Sequence, residues 1–396
     1  MTKRSLADLE AVRLDGQRAL VRVDFNCPVK DGQVTDDTRI RAALPTIAHL
    51  REHGARVVLC SHFGRPKGTP DPAFSLRPVV DRLELILGAP ILFLESLDDG
   101  AIASTRRMPR GSVAVLENTR FHPGEEANDP AFAQRLAALG DLYVNDAFGS
   151  AHRAHASTEA VAHLLKPAVS GFLMEKELRF LGQALDHPKR PFVAVLGGAK
   201  ISGKIDLIEA LLPKVDRILI GGAMACTFFK AMGLEVGNSL VEDDRIEMAA
   251  ALLQRAGDKL MLPVGAMVGP MLAPGVTTQV VRRDRVPPGW SIFDIDPRTV
   301  KMFGAEILAA GTVIWNGPMG VFETPPFDQG TLGIALTMAA ATRRGAVTVI
   351  GGGDSAAAIA KAGLSDQVSH VSTGGGAALE FLEGRTLPGV AALDNA

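Results

Sequence analysis

The sequence has 396 residues, of which 47% are hydrophobic, and its formal net charge at pH 7 is −2. A chain of this length can bury more than one core, and we expect two domains. The near-neutral charge excludes a global field that would attract nucleic acid or anionic lipid. Any affinity for phosphate must therefore come from locally placed cations and backbone N–H groups.

Cysteine usage and hydropathy indicate the compartment. Cys27, Cys60 and Cys226 are far apart and show no Cys-x-x-Cys spacing, which argues against a zinc site or a disulfide framework and fits a reducing cytosol. The N-terminus lacks an apolar segment, and no run reaches the roughly 18 apolar residues of a spanning helix. We expect a cytoplasmic protein with no nucleic-acid or membrane partner.

Short β-branched runs alternate with longer Ala/Leu-rich segments along the whole chain. This alternation indicates βαβ units, and so predicts an α/β protein with two doubly wound, Rossmann-like parallel-sheet domains. The strands predicted for the first half are 19–25, 56–61, 113–117, 142–146 and 168–172.

The residues that follow these strands are polar and mostly cationic, and ligands of open parallel sheets bind beyond the carboxyl ends of the strands. They are Asp24, Asn26, His62, Arg65, Arg120 and Arg153, joined by Arg39 after a D-D-T-R turn. A single arginine is equally explained as a solvated surface charge, but the coincidence at several strand ends favours an anion site. Asp24 either neutralises these cations or accepts a hydrogen bond from a substrate hydroxyl.

Two further features of the first half have simpler explanations. His152 and His155 have a metal-like H-x-x-H spacing, yet no carboxylate or cysteine partner is evident nearby, so a structural or anion-contacting role is favoured. Cys27 is interpreted as a packed residue and not as a nucleophile.

The segment Phe172 to Leu185 carries apolar residues at helical spacing and stops at a D-H-P-K-R-P sequence, which predicts the helix between the domains. The strands predicted beyond it are 192–196, 217–221, 260–264, 291–294, 312–316, 347–350 and 368–371. Glycine follows several of these strands, at 197–198, 221–222 and 317 and in the triplets 351–353 and 374–376.

The stretch Val347 to Ala360 changes within a dozen residues from a β-branched strand to three glycines and then to helix-forming alanines. Glycines let the backbone approach a ligand closely, and the helix start offers unpaired N–H groups to an anion. Asp354 fits such a site if Mg²⁺ lies between it and a phosphate, or else it is a plain N-cap. Val368 to Glu380 repeats this pattern, which suggests one polyphosphate-shaped site.

The stretch Gly198 to Ile205 nearly matches a P-loop, but Ile205 stands where the magnesium-binding hydroxyl is required. Lys200 and Lys204 are interpreted either as point charges on a phosphate chain or as exposed helix-start lysines. In the W-N-G-P-M-G-V-F-E segment, Glu323 is a candidate ligand of a ribose hydroxyl, and Trp315 is interpreted as a core residue.

These motifs together resemble those of phosphoglycerate kinases from end to end. They are, in order, R-V-D-F-N-C-P, S-H-F-G-R-P-K-G, L-E-N-T-R-F, D-A-F-G-S-A-H-R-A-H-A-S, G-G-A-K-I-S-G-K-I, W-N-G-P-M-G-V-F-E, G-G-G-D-S-A and S-T-G-G-G-A. The resemblance implies reversible transfer of a phosphoryl group from 1,3-bisphosphoglycerate to ADP, giving 3-phosphoglycerate and ATP in glycolysis, in a monomer that closes about its hinge.

The resemblance also implies roles for single residues. It assigns 3-phosphoglycerate to Asp24, Phe25, Asn26, Arg39, His62, Phe63, Gly64, Arg65, Arg120 and Arg153. It assigns the nucleotide to Gly198, Lys200, Lys204, Gly221, Gly222, Glu323, Gly352, Gly353, Asp354 and Ser355, with Asp354 facing Mg²⁺. Arg39, Lys204, Gly375 and Gly376 would act on the transferring group.

The implied substrate domain is 1–171 with a returning tail of about 380–396, the helix is 172–187 and the nucleotide domain is 188–379. Three residues depart from the family pattern: Gly203 stands where Asp or Thr is common, Cys27 replaces an apolar residue, and Gly265 stands where Asp is usual.

Two functions of other classes are alternatives for a chain with this pattern. A nicotinamide dehydrogenase needs G-x-G-x-x-G after the first strand of a domain, and this fingerprint is absent after Asn26 and after Leu196. A two-domain solute-binding protein would close on a phosphorylated ligand without chemistry, and the absence of an export signal and the presence of Asp354 argue against it.

Overall fold

The computed structural model describes residues 3–10 and 13–396 as an alternation of strands and helices. The strands are β1 (Arg18–Arg22), β2 (Val29–Lys30), β3 (Gln33–Val34), β4 (Arg56–Cys60), β5 (Ile91–Leu94), β6 (Val113–Leu116), β7 (Leu142–Asn145), β8 (Ala168–Ser170), β9 (Phe192–Leu196), β10 (Arg217–Ile220), β11 (Leu260–Met261), β12 (Gly265–Gly269), β13 (Gln279–Arg282), β14 (Ser291–Ile295), β15 (Thr312–Asn316), β16 (Val347–Gly351) and β17 (His370–Val371). The helices are α1 (Thr38–Glu52), α2 (Arg77–Leu87), α3 (Asp99–Arg107), α4 (Pro123–Glu126), α5 (Pro130–Ala137), α6 (Val161–Leu164), α7 (Phe172–Asp186), α8 (Ile205–Leu211), α9 (Met224–Ala231), α10 (Ile246–Ala256), α11 (Pro297–Ala309), α12 (Gln329–Arg343), α13 (Gly353–Lys361), α14 (Gly376–Leu382) and α15 (Pro388–Ala391).

The first of two compact units runs to Arg179 and also contains Thr386–Ala396. Its six-stranded sheet has the order β5-β6-β4-β1-β7-β8 and is parallel throughout. Successive side chains of a strand point to opposite faces, so Val21 joins one apolar core and Leu20 joins the core on the other face. Burial on both faces explains why these strands read as nearly continuous apolar runs.

The second unit, Phe180–Arg385, is built on a six-stranded parallel sheet of order β11-β10-β9-β15-β16-β17. Trp315 on β15 is fully buried in the core of this unit, as its interpretation as a core residue predicted. A separate three-stranded antiparallel sheet has the order β13-β12-β14. Both main sheets are parallel and alternate with helices, which confirms the α/β prediction.

Some predicted strands differ from the observed ones. The predicted strand 260–264 ends at Met261 in the parallel sheet, since Pro263 has no N–H to donate to a ladder, and the chain resumes as β12. The predicted strand 291–294 exists as β14, but it pairs antiparallel with β12 and lies outside the parallel sheet. The β2–β3 hairpin and the edge strands β5 and β13 were missed, because short or half-exposed strands carry a weak apolar signal.

Helix α7 begins at Phe172, where the sequence predicted the helix between the domains, and ends one residue beyond the predicted Leu185. The backbone N–H groups of Leu173 and Met174 donate to Oδ1 of the buried Asp146, at 2.9 and 3.2 Å. This carboxylate supplies acceptors for the otherwise unpaired first turn of the helix. Among the described residues, no helix combines the length and hydropathy that crossing a bilayer requires.

Candidate active site

Four neighbouring strands of the first unit, β6, β4, β1 and β7, deliver the predicted anion-binding residues. Asp24 and Asn26 follow β1, His62 and Arg65 follow β4, and the remaining two arginines follow β6 and β7. Parallel strands end at one edge of their sheet, so their following loops share that edge. The predicted convergence of these loops therefore follows from the observed strand order.

Hydrogen bonds tie several of these residues to each other. The amide oxygen of Asn26 accepts the N–H of Gly64 at 3.0 Å, and the Arg120 guanidinium donates to the Gly64 carbonyl at 2.7 Å. Arg39, in the first turn of α1, lies 2.8 Å from a carboxylate oxygen of Asp24. A Cβ at Gly64 would lie 2.3 Å from the Phe74 ring, so this close approach requires glycine.

The remaining predicted substrate residues are placed differently. The side chains of Phe25 and Phe63 are buried in the core, and their N–H groups donate to the Ser61 hydroxyl and the Asn118 amide oxygen. These two residues therefore support the loops through buried packing and backbone hydrogen bonds. Arg65 is exposed. Arg153 is half-buried and donates from Nε to Nε2 of His152 at 3.2 Å.

The charges of this edge perturb two of its acid–base groups. Burial opposes ionisation of Asp24, but the guanidinium groups of Arg39 and Arg22 help to hold the pKa of this carboxyl below its ordinary value. Burial and the nearby guanidinium groups, those of Arg22, Arg120 and Arg39, hold the pKa of His62 well below 6.5. The edge therefore offers fixed guanidinium charges, an ionised carboxylate and a neutral imidazole at neutral pH.

Buried polar residues hold the loops of this edge in place, and the sequence did not predict them. Arg22, the last residue of β1, is fully buried, and its Nε donates to the Ser157 hydroxyl at 2.8 Å. The Asn118 side chain donates to the Phe63 carbonyl at 2.6 Å and accepts from the N–H groups of Phe63 and Arg120. A charged residue between the apolar residues Val21 and Val23 was the signal that could have revealed Arg22.

In the second unit, glycine-rich turns enclose a cavity of about 310 Å³. It is lined by Gly197, Gly198, Ala199, Lys200, Lys204, Asn316, Gly317, Gly352, Gly353, Asp354, Ser355, Gly375, Gly376 and Leu379. Gly352 precedes α13 with φ of +87°, a conformation that disfavours other residues. The first turn of α13 and its dipole therefore provide N–H donors for an anion.

Asp354 lies in the first turn of α13, and the N-cap position belongs to Gly352, which makes no side-chain cap. The exposed Asp354 carboxylate lines the cavity, so its interpretation as a plain N-cap is wrong. Lys204 lies at the start of α8, and burial lowers its pKa to about 8 although Asp354 and Glu383 oppose this shift. Of the two candidate lysines, Lys204 is the desolvated one and Lys200 is exposed.

Asn316 at the end of β15 also lines this cavity, although its position in the sequence gives no signal of this role. Its side chain is buried, and its amide nitrogen has no hydrogen-bond partner among the described residues. A buried donor without a partner costs free energy, which a ligand oxygen would recover. The amide lies at the glycine floor, since a Cβ at Gly352 would be 3.0 Å from it.

A second cavity of about 470 Å³ adjoins the first and shares Gly198, Ala199 and Asp354 with it. Its walls are mainly apolar and include Phe229 and Leu240. Glu323 and Gly222 line this cavity, so they lie next to the glycine floor. Gly221 lines neither cavity: a Cβ there would lie 2.4 Å from the sulfur of Met319, so this glycine serves packing.

The loop that follows β15 joins the separate glycine turns. Its carbonyl groups at Pro318 and Met319 accept the N–H groups of Gly198 and Gly222, at 2.9 and 3.0 Å. The Ser355 hydroxyl accepts the Gly317 N–H at 2.6 Å. The floor of the cavity is therefore one connected unit, although its parts come from four strand ends.

The chain is similar along almost its whole length to one known family of enzymes. A family model described as phosphoglycerate kinase matches residues 9–385. The chain belongs to the phosphoglycerate kinase family. It is 59% identical over 403 residues to the phosphoglycerate kinase of Chloroflexus aurantiacus and 53% identical over 398 residues to that of Rippkaea orientalis, with 100% of both chains covered in each case.

Solved phosphoglycerate kinase structures share the fold. The Coxiella burnetii structure superposes with a TM-score of 0.90 at 41% identity, and the Pyrococcus horikoshii structure with 0.84 at 31%. Each comparison covers 98% of both chains. Family membership makes this chain a kinase of glycolysis, a phosphotransferase with a carboxyl group as acceptor.

The three departures from the phosphoglycerate kinase pattern have distinct surroundings. Gly203 is exposed, and a Cβ there would meet nothing within 4 Å. Cys27 is buried, and burial raises the pKa of its thiol to about 12, so it is a packed and unreactive residue. Gly265 is packed tightly, since a Cβ there would lie 2.5 Å from Oδ2 of Asp296.

The residues around the first cavity fit a nucleotide-borne magnesium ion. Among the described residues, no group of three or more His, Cys, Asp and Glu side chains could hold a metal. Magnesium often binds through one or two carboxylates together with substrate phosphates and water. A single carboxylate, Asp354, beside a phosphate-sized glycine floor matches that donor set.

Proposed function

We propose that this chain catalyses the reversible transfer of a phosphoryl group from 1,3-bisphosphoglycerate to ADP, giving 3-phosphoglycerate and ATP. The observation that carries the proposal is the division of labour between the units. In one unit, arginines lie at the carboxyl ends of the strands. In the other unit, the glycine-rich turns offer backbone N–H groups beside one desolvated lysine. The first set suits a small polyanion, and the second suits a nucleotide phosphate chain.

On this proposal, the substrate edge of the first unit binds 3-phosphoglycerate through its arginines, His62, Asp24 and Asn26. The cavity of about 310 Å³ receives the nucleotide phosphates, and the adjoining apolar cavity receives the base and ribose, with Glu323 available to a ribose hydroxyl. Mg²⁺ enters as part of the nucleotide substrate and neutralises phosphate charge there, with Asp354 as its protein ligand.

The chemistry asks for positioning and fixed positive charge. A phosphoryl group leaving a carboxylate passes through a loose transition state with charge spread over its oxygens, so no covalent intermediate is needed. We assign Arg39 and Lys204 to the two sides of the moving group, with the N–H groups at Gly375 and Gly376 beside it. These residues belong to different units, so the transfer requires closure about α7, which also excludes water.

The domain and cellular assignments follow the same proposal. The substrate domain is 1–171 with the returning tail, the helix is 172–187 and the nucleotide domain is 188–379. We further propose a monomer that works in the cytoplasm.

A coupled assay tests the function directly. Purified protein with 1,3-bisphosphoglycerate, ADP and Mg²⁺ should form ATP, and omission of any of the three should abolish the signal. The competing solute-binding function predicts that both ligands bind while no ATP forms. That result would overturn the proposal, since binding by itself cannot distinguish a receptor from an enzyme.

A further inference from the structure

A buried hydrogen-bond chain lies behind the substrate edge and ends at His62. The Glu125 carboxylate accepts from the Ser157 hydroxyl at 2.5 Å, and the Ser157 oxygen accepts from Arg22 Nε at 2.8 Å. One terminal nitrogen of Arg22 donates to the Val23 carbonyl, and the other lies 3.1 Å from Nδ1 of His62. Arg22, Ser157 and Glu125 are each fully buried.

The chemistry of arginine decides the direction of the last bond. A guanidinium carries five N–H donors and no acceptor, and it stays protonated in proteins. At the contact between Arg22 and His62, the imidazole must therefore accept through the lone pair of Nδ1. A histidine with an unprotonated Nδ1 is neutral and carries its proton on Nε2.

The Ser157 hydroxyl links Arg22 to the carboxylate of Glu125, which supplies the opposing charge. Ser157 has one O–H, which it donates to Glu125, so its oxygen is left to accept from Arg22. The Glu125 carboxylate also accepts the Ser157 N–H at 3.0 Å and the Thr119 hydroxyl at 3.1 Å. A buried charge that is hydrogen-bonded and balanced in this way holds its geometry, because each lost partner would leave an unpaired group.

We propose that Arg22 is a positioning residue that locks His62 in its neutral Nε2–H tautomer, so that His62 serves the substrate as a hydrogen-bond donor and not as a cation. The role of His62 at the substrate rests on the proposed function. The charged and titratable groups facing the ring are Asp24 and Arg22 from β1 and its loop, Arg120 from the loop after β6, and Arg39 from α1. The three guanidinium groups oppose a fourth positive charge, and Asp24 alone favours it.

Nitrogen NMR of protein labelled with ¹⁵N-histidine tests the tautomer without any activity measurement. Two-bond ¹H–¹⁵N correlations should show His62 with an unprotonated Nδ1 and a protonated Nε2, unchanged between about pH 5.5 and 8. The signal is assigned by its loss in His62→Gln. A proton on Nδ1, or a titration within this range, would overturn the proposal.

The variant Arg22→Met tests the positioning role. The pH dependence of the KM for 3-phosphoglycerate should change, with the ionisation of His62 appearing at a higher pH than in the wild type. Arg22→Met removes one of the three guanidinium groups that oppose a charge on the ring, while the burial of the ring remains. The matched control is Arg18→Met, which removes another buried arginine of β1, one paired with Asp141 at 2.6 Å. The substrate phosphate also titrates in this range, so each variant is compared with the wild-type profile.

An Arg22→Met profile that coincides with that of wild type, as we expect for Arg18→Met, would contradict the role of Arg22. If Arg22→Met does not fold, the tautomer of His62 in the wild-type protein still decides the question. A protein with no kinase activity but with the Nε2–H tautomer would refute the proposed function and leave the tautomer assignment standing.

Discussion

The guanidinium of Arg39 lies 2.8 Å from the carboxylate of Asp24. Arg39 occupies the first turn of α1, where the helix dipole disfavours a cation, and Asp24 supplies the opposing charge. The Arg39 side chain remains 40% exposed, so it is held in place without being enclosed. An anionic substrate can therefore reach a guanidinium whose position is already set.

Replacement of Arg39 by alanine should lower turnover by roughly 10²- to 10³-fold, the loss typical of one preorganised charge at a transition state. The KM for Mg-ATP should barely change, since the cavity proposed for the nucleotide phosphates lies in the other unit. Arg41→Ala is the control, because this exposed arginine of the same helix pairs with Asp37. Near-normal turnover of Arg39→Ala in a steady-state assay would refute its catalytic role.

The affinity for Mg-ADP should fall as the pH rises above about 8. Burial lowers the pKa of Lys204 to about 8, so the free protein carries the positive charge below this pH and loses it above. Calorimetric titration of Mg-ADP between about pH 7 and 9.5 measures the effect. Lys204→Arg should flatten the profile, because arginine stays protonated throughout; equal slopes for both proteins would contradict the assignment.

Two glycines that depart from the family pattern should respond differently to aspartate. Gly265→Asp places a Cβ 2.5 Å from Oδ2 of the buried Asp296 and 2.6 Å from both the Arg298 guanidinium and the Val281 carbonyl oxygen, and this overpacking should lower the free energy of unfolding by about 1–3 kcal/mol. Gly203→Asp enters open solvent and should change it by less than about 0.5 kcal/mol. Denaturant unfolding of the pair decides, and similar midpoints would show that the crowding at Gly265 relaxes easily.

Thr331 on α12 holds the loop that joins the glycine turns. Its buried hydroxyl oxygen accepts the N–H groups of Met319 and Gly320, at 3.0 and 3.2 Å. Thr331→Val keeps the shape but leaves two buried donors unpaired, at a cost of about 1–3 kcal/mol each. We expect the KM for ADP to rise about 10-fold or more, while the KM for 3-phosphoglycerate stays constant.

The control for this prediction lies on the same helix. The Thr337 hydroxyl donates within α12 to the Gly333 carbonyl at 2.7 Å, away from the loop. Thr337→Val should therefore leave both KM values unchanged. An equal rise in the KM for ADP in both variants would contradict this prediction. It would mean that the shape of the cavity depends on α12 as a whole and not on the hydrogen bonds from Thr331 to the loop.

Much of the fold and many of the site residues were predictable from the residue pattern. Strands buried on both faces stand out as β-branched runs, as Phe192–Leu196 does, and the edge at which parallel strands end is dictated by the βαβ connection. Residues after such strands must gather at one edge, which is why His62 and Arg120 were found. The weak signals were short or half-exposed strands such as Ile91–Leu94, whose burial depends on neighbours distant in the chain.

The local sequence pattern does not show which charged residues are buried or which partners they contact. Both depend on contacts between residues that are distant in the chain. Arg22 meets His62 across 40 residues and Ser157 across 135, and Gly265 faces Asp296 across two different elements. Such pairs form only when the sheet brings separate loops together, and the energy of a buried polar group depends on that partner. The sequence therefore determines which residue types are available to the site. The folded environment determines the protonation of His62 and Lys204, because it sets their burial and their charged neighbours.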